Sequence, residues 1–137
     1  MRFLDANVIL RYLTGDDEAK AAASRALLQR AQEGTEDLFT AETTIAGIVN
    51  VLRSPRLEYR LTNKEIRDRL IPVLAISNLH LPRKTVCLRA LDIFALNTVL
   101  DFEDALAIAH MEAEGIDEIV SYDRDFDRVS GVTRMEP

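Results

Sequence analysis

Short apolar runs alternate along the chain with longer segments in which apolar residues recur every three or four positions. The first run starts almost at the N-terminus and stops at Asp5, which predicts a buried strand followed by a turn and a helix through about Leu13. Further strands are predicted at 38–40, 79–81 and 116–122, with a last one starting near Val132. Helical spacing covers 18–32, 43–52, 62–70, 84–98 and 101–115. This alternation predicts a three-layer α/β/α fold with a mainly parallel central sheet.

The helix predicted from Thr43 to Leu52 has two different sides. Its apolar face consists of Ile45, Ile48, Val49 and Leu52. The opposite side carries small or polar residues at Thr43, Gly47, Asn50 and Ser54. A glycine within a helix costs about 1 kcal/mol relative to alanine. We therefore expect that something other than helix stability accounts for Gly47. Pro72, in the next helix, predicts a kink or a break after about Leu70.

Length and composition indicate one globular domain. The 137 residues, 47% of them apolar, are enough to build one core, and we expect a single domain over 1–137. The only cysteine, Cys87, lies in an apolar helical stretch and is expected in the core. The lack of a disulfide fits a cytoplasmic protein. No apolar stretch approaches the ~20 residues of a membrane helix, so no membrane partner is expected.

Charge is unevenly distributed. The net charge is −6, which argues against simple electrostatic binding of nucleic acid. Between Arg53 and Arg69, however, six basic residues and three acids give +3, so the remainder of the chain carries −9. This basic stretch is either a nucleic-acid contact or an ordinary solvated helix face.

Several carboxylates fall at equivalent places in the predicted fold. Asp5 and Asp123 each follow a strand, where ligands bind in open α/β sheets. Asp104 lies in the first turn of a helix, one turn after Asp101. Each acid also has a purely structural interpretation as a helix cap or turn residue. Together they would repel one another unless a cation intervenes, and carboxylate oxygens suit Mg²⁺ or Mn²⁺, which can activate water for phosphodiester hydrolysis.

Three segments resemble the motifs of PIN-domain proteins, and the bacterial VapC-type toxins match best in length and order. They are Asp5-Ala6-Asn7, Asp101-Phe102-Glu103-Asp104-Ala105-Leu106 and Ser121-Tyr122-Asp123-Arg124-Asp125-Phe126. The resemblance implies a Mg²⁺- or Mn²⁺-dependent endoribonuclease, paired with an antitoxin and commonly a homodimer. Asp5 and Asp104 would match the metal ligands, Asp123 the acid that completes the pocket, and Asn7 the residue that orients the first aspartate. Asp101 and Ser121 are supporting candidates within the same motifs.

The chain departs from the family pattern at one position. The family usually has a glutamate on the helix after the second strand, five residues before a leucine, and here Gly47 occupies that place. Glu42 is the nearest acid, more than one helical turn earlier. The alternative is therefore a catalytically impaired PIN-fold module that binds RNA or an antitoxin. Asp5-Ala6-Asn7 also approaches the Asp-x-Asp start of haloacid-dehalogenase phosphatases, but Asn7 replaces the second acid and no matching downstream lysine is found.

Overall fold

Helices dominate the protein, and short parallel strands lie between them. The structure is a computed structural model that describes residues 1–56 and 60–137; Glu58 of the basic stretch lies outside the described residues. The helices are α1 Ala6–Thr14, α2 Glu18–Glu33, α3 Glu42–Arg53, α4 Asn63–Leu74, α5 Lys84–Leu96 and α6 Phe102–Glu114. The strands are β1 Arg2–Phe3, β2 Leu38–Phe39, β3 Leu79–His80, β4 Glu118–Val120 and β5 Thr133–Met135, with a 3₁₀ turn at Arg124–Arg128 between the last two.

All strand pairs are parallel, which confirms the predicted fold class. β2 lies between β1 and β3, with Leu38 opposite both Arg2 and Leu79. β4 pairs with β5 in a second, two-stranded sheet. Helices pack around these strands in a three-layer α/β/α arrangement.

The prediction that the first strand is buried was wrong. β1 is an edge strand, and the side chain of Phe3 is 59% exposed. Only Leu4, immediately after the strand, enters the core. The apolar run was read correctly as a strand, but burial depends on a neighbour on the second side, and within the described residues β1 has a partner only in β2.

The apolar face of α3 was predicted correctly, because Ile45, Ile48, Val49 and Leu52 are all buried. Of the kink or break predicted at Pro72, the break is wrong, since α4 continues through Pro72 to Leu74. Pro72 is exposed, whereas the two residues that follow it are buried. Water can therefore satisfy the carbonyl that proline leaves unpaired, while packing of the next residues keeps the helix going.

Two smaller differences concern the C-terminal half. α5 ends at Leu96 rather than Thr98, because Asn97 closes the helix through hydrogen bonds to the carbonyl of Ile93. The fourth strand is only Glu118–Val120, shorter than the predicted 116–122.

None of the helices within 1–56 and 60–137 combines the length and apolar character needed to cross a bilayer.

Candidate active site

Three of the candidate acids begin turns of helix. The carboxylate of Asp5 accepts the backbone N–H of Asn7 at 3.4 Å at the start of α1. Asp101 accepts the N–H of Asp104 at 2.8 Å at the start of α6. Asp123 accepts the N–H of Asp125 at 2.9 Å and opens the 3₁₀ turn. The structural role considered for each acid is therefore present in the fold.

Asp104 is the acid whose surroundings differ. It lies in the first turn of α6 and is only partly exposed. The pKa of its carboxyl is raised from 3.8 to about 6, first by burial and then by the negative charge of Asp101, a hydrogen bond with the Asp101 side chain and the charge of Asp123. A backbone N–H of Asp101 partly offsets these effects. The structure thus brings Asp101 and Asp123 into the electrostatic environment of Asp104, whereas Asp5 does not contribute to that pKa.

Asp101, Asp104 and Asp123 form an acidic cluster. Arg53, at the end of α3, holds the loop that leads into it. Its guanidinium donates to the carbonyl oxygens of Leu100 at 2.9 Å and Thr98 at 3.1 Å. It also lies over the ring of Phe94, 5.4 Å from the ring centroid. The carbonyls that it binds come directly before Asp101. The position of the α6 N-terminus therefore depends on α3.

Two side-chain contacts show how α3 and α6 lie against each other. The Asn50 amide donates to Oε1 of Glu103 at 2.9 Å, and the ring of His110 lies 3.1 Å from both carboxylate oxygens of Glu42. The early part of α3 thus meets the later part of α6, and the late part of α3 meets its start. The helices run antiparallel, and Gly47 falls between the two contacts.

Gly47 lies on the exposed side of α3. Apart from the two neighbouring residues and the backbone of the same helix, no heavy atom of the described residues lies within 4 Å of a Cβ built there. The position has space for a side chain and no strained backbone. Since Asn50 lies one turn away and contacts Glu103, a side chain at 47 would lie on the same face of α3, next to that contact.

The remaining candidates occupy separate places. The Asn7 side chain lines a cleft of about 340 Å³ between α1 and α2, shared with Arg11 and Lys20. Ser121 accepts the backbone N–H of Asp123 at 3.0 Å, and its carbonyl accepts from Arg134 at 2.9 Å. These bonds fix the turn after β4. The Glu42 carboxylate contacts His110, and within the part of the chain that the structure describes it makes no hydrogen bond with Asp104.

The sequence did not predict the contacts made by Arg53, Asn50 and His110. The acceptors of Arg53 are backbone carbonyls, which no residue pattern reveals. Gly47 and Asn50 were placed on a common polar stripe, and that stripe was the available signal for the contact with Glu103.

Carboxylate oxygens are the donors that a hard divalent cation prefers, so the chemistry of the donor set fits such an ion. Within the part of the chain that the structure describes, however, no three His, Cys, Asp or Glu side chains lie close enough together to form a ligand group. The raised pKa of Asp104 marks where negative charge is concentrated.

The PIN domain family model matches residues 2–132, and the chain belongs to the PIN domain family. PIN domains are generally nucleases, and those nucleases generally use divalent metals. No curated protein matches the chain.

Proposed function

We propose that this protein is a metal-dependent endoribonuclease that hydrolyses RNA phosphodiester bonds. The observation that supports the proposal is the environment of Asp104 in a PIN domain. Partial burial, together with the negative charges of Asp101 and Asp123 from separate parts of the chain, raises the pKa of this one carboxyl to about 6. Such concentrations of perturbed acids are typical of functional sites.

Each acid has an assigned role in this proposal. Asp5 and Asp104 would hold Mg²⁺ or Mn²⁺, and Asp123 would complete the pocket or position water. When bound, the ion would supply an activated water and stabilise the leaving oxygen. Asn7 would orient Asp5, while Asp101, Ser121 and the loop held by Arg53 would keep the other acids in place.

A cleavage assay on mixed RNA with Mn²⁺, with and without a chelator, tests this function. We expect chelator-sensitive cleavage by the pure protein and its loss in Asp104→Asn and Asp5→Ala. Asp125→Asn is the matched control, because Asp125 lies in the turn after Asp123 and has no assigned role. Cleavage by Asp5→Ala as fast as by the parent would refute the assignment of Asp5.

A second candidate function is a PIN-fold module that binds RNA or an antitoxin without cutting RNA. The observation in its favour is Gly47, which leaves the α3 face without the carboxylate that the family usually has there. The same assay decides between the two. Tight RNA binding without chelator-sensitive cleavage would support the binding module.

The resemblance to VapC-type toxins extends the proposal to partners. The protein would be the toxin of a toxin–antitoxin pair, a single domain over 1–137, active in the cytoplasm and assembled as a homodimer. Exposed apolar side chains, among them Phe3, Leu96 and Tyr122, offer surfaces for such contacts. Sedimentation as a monomer at micromolar concentration would contradict the dimer.

A further inference from the structure

We propose that a basic cleft beside the acidic cluster binds a backbone phosphate of the RNA strand. The cleft measures about 280 Å³ and is lined by Arg53, Arg60, Leu61, Thr62, Asn63 and Thr98. It lies where the end of α3, the start of α4 and the loop before α6 meet. This inference rests on the proposed function, because it names where the RNA substrate would be held.

The cationic wall of the cleft is preorganised on one side. Arg53 is fixed by the carbonyls of Thr98 and Leu100 and by the ring of Phe94. These two carbonyls use only part of its fork of N–H donors, so others remain for a ligand. An arginine that is already held in place loses little conformational entropy when it binds an anion.

Arg60 supplies the second guanidinium and is exposed. Guanidinium groups match phosphate oxygens in charge and geometry, often with two parallel hydrogen bonds. Thr98 also lines the cleft. The nearby carboxylate of Glu65 accepts hydrogen bonds from the N–H and hydroxyl of Thr62 at the start of α4.

The cleft and the acidic cluster share structural elements. Asn50 of α3 binds Glu103, next to Asp104, and Arg53 follows three residues later on the same helix. Thr98, which lines the cleft, precedes the cap Asp101 by three residues. An RNA strand at the acidic cluster would therefore pass the cleft with a neighbouring phosphate. This contact would offset part of the repulsion between RNA and a chain of net charge −6.

The salt dependence of RNA binding tests the proposal. The full chain is titrated into a fluorescently labelled single-stranded RNA of mixed sequence in EDTA, between about 50 and 200 mM salt. Arg60→Gln should lower the magnitude of the slope of log K against log salt by about 0.7, the value for one single-strand phosphate contact. At about 0.1 M salt this corresponds to an affinity loss on the order of fivefold. Arg60→Lys should restore most of the slope.

Arg25→Gln is the matched control. Arg25 is exposed on α2, which packs against α1, and its loss changes the net charge by the same amount. Equal slopes for Arg60→Gln and Arg25→Gln, or no RNA binding by the parent, would overturn the proposal. So would an affinity for polyglutamate that depends on Arg60 while the affinity for RNA does not, since the cleft would then bind an acidic protein segment.

The outcomes for the two proposals are separable. An Arg60-dependent slope in a parent protein that fails to cleave RNA would support the cleft and refute the nuclease function. Chelator-sensitive cleavage with no effect of Arg60 on the slope would support the nuclease function and refute the cleft.

Discussion

Replacing Gly47 by glutamate adds the carboxylate that the family usually places on this helix. The site is open, because among the described residues nothing beyond the local helix lies within 4 Å of a Cβ at this position. The antiparallel packing of α3 and α6 places Gly47 between the Glu42–His110 and Asn50–Glu103 contacts. A glutamate there would bring its charge toward Asp104.

Two opposing effects set the stability of Gly47→Glu without metal. Removing an exposed glycine from within a helix recovers up to about 1 kcal/mol. A further negative charge near Asp104 costs on the order of 1 kcal/mol in a partly solvated site. The net change in the free energy of unfolding of Gly47→Glu should therefore be close to zero. Gly47→Ala adds no charge, so it should raise the free energy of unfolding by nearly the full ~1 kcal/mol.

Divalent metal should reverse this order. We expect Gly47→Glu to bind Mn²⁺ about tenfold more tightly than the parent, equivalent to about 1.4 kcal/mol, and to cleave RNA faster. Urea unfolding with EDTA or with Mn²⁺, calorimetric titration of Mn²⁺ and a parallel cleavage assay measure these effects. If Gly47→Glu and Gly47→Ala bind Mn²⁺ equally, position 47 does not face the acidic cluster and the helix packing argument is wrong.

Three further predictions concern single side chains. The pKa of Asp104 is raised from 3.8 to about 6, so the native state binds more protons than the unfolded state between these values, and stability falls as pH rises through that window. Allowing for partial exposure, Asp104→Asn should remove on the order of 1–2 kcal/mol of this pH dependence, measured by urea unfolding in EDTA at about pH 4 and pH 7. Burial, with the charge of Glu42, raises the pKa of Cys87 to about 12, so a thiol reagent should label it only as the protein unfolds, and rapid labelling of the native protein would contradict its burial. Arg53→Lys should lower the free energy of unfolding by about 1–2 kcal/mol and speed hydrogen exchange at the Leu100 amide, and unchanged exchange there would show that Arg53 does not hold the loop.

Strong periodicity made the helices predictable, but burial and breaks depended on the neighbours of each segment. α3 was predicted to within one residue at each end, because one face of it is wholly apolar. The first strand was predicted to be buried from its apolar run, yet β1 lies at an edge and Phe3 is exposed. Pro72 is tolerated because it faces solvent. Neither difference is encoded in the local pattern.

The candidate acids could be found from the sequence, but the differences between them could not. Asp5, Asp101 and Asp123 occupy similar positions at the starts of helical turns, as their sequence contexts suggested. Asp104 differs because packing partly buries it and brings Asp123 near it from a distant part of the chain. The sequence also could not reveal that Arg53 fixes the loop before α6, because the acceptors of its hydrogen bonds are backbone carbonyls.

The raised pKa of Asp104 links metal binding to proton release. A carboxyl must lose its proton before it binds a cation, and near pH 6 about half of the Asp104 side chains carry that proton. If Asp104 is a metal ligand, the affinity for Mn²⁺ should therefore rise as pH increases through about 6, and binding at that pH should release on the order of half a proton. Calorimetric titrations in two buffers with different ionisation enthalpies measure this release directly. Gly47→Glu should increase it, because the added negative charge raises the pKa of Asp104 in the metal-free protein. A parent protein that binds Mn²⁺ with no proton release at pH 6 would show that the ion does not reach Asp104, even if RNA cleavage requires metal.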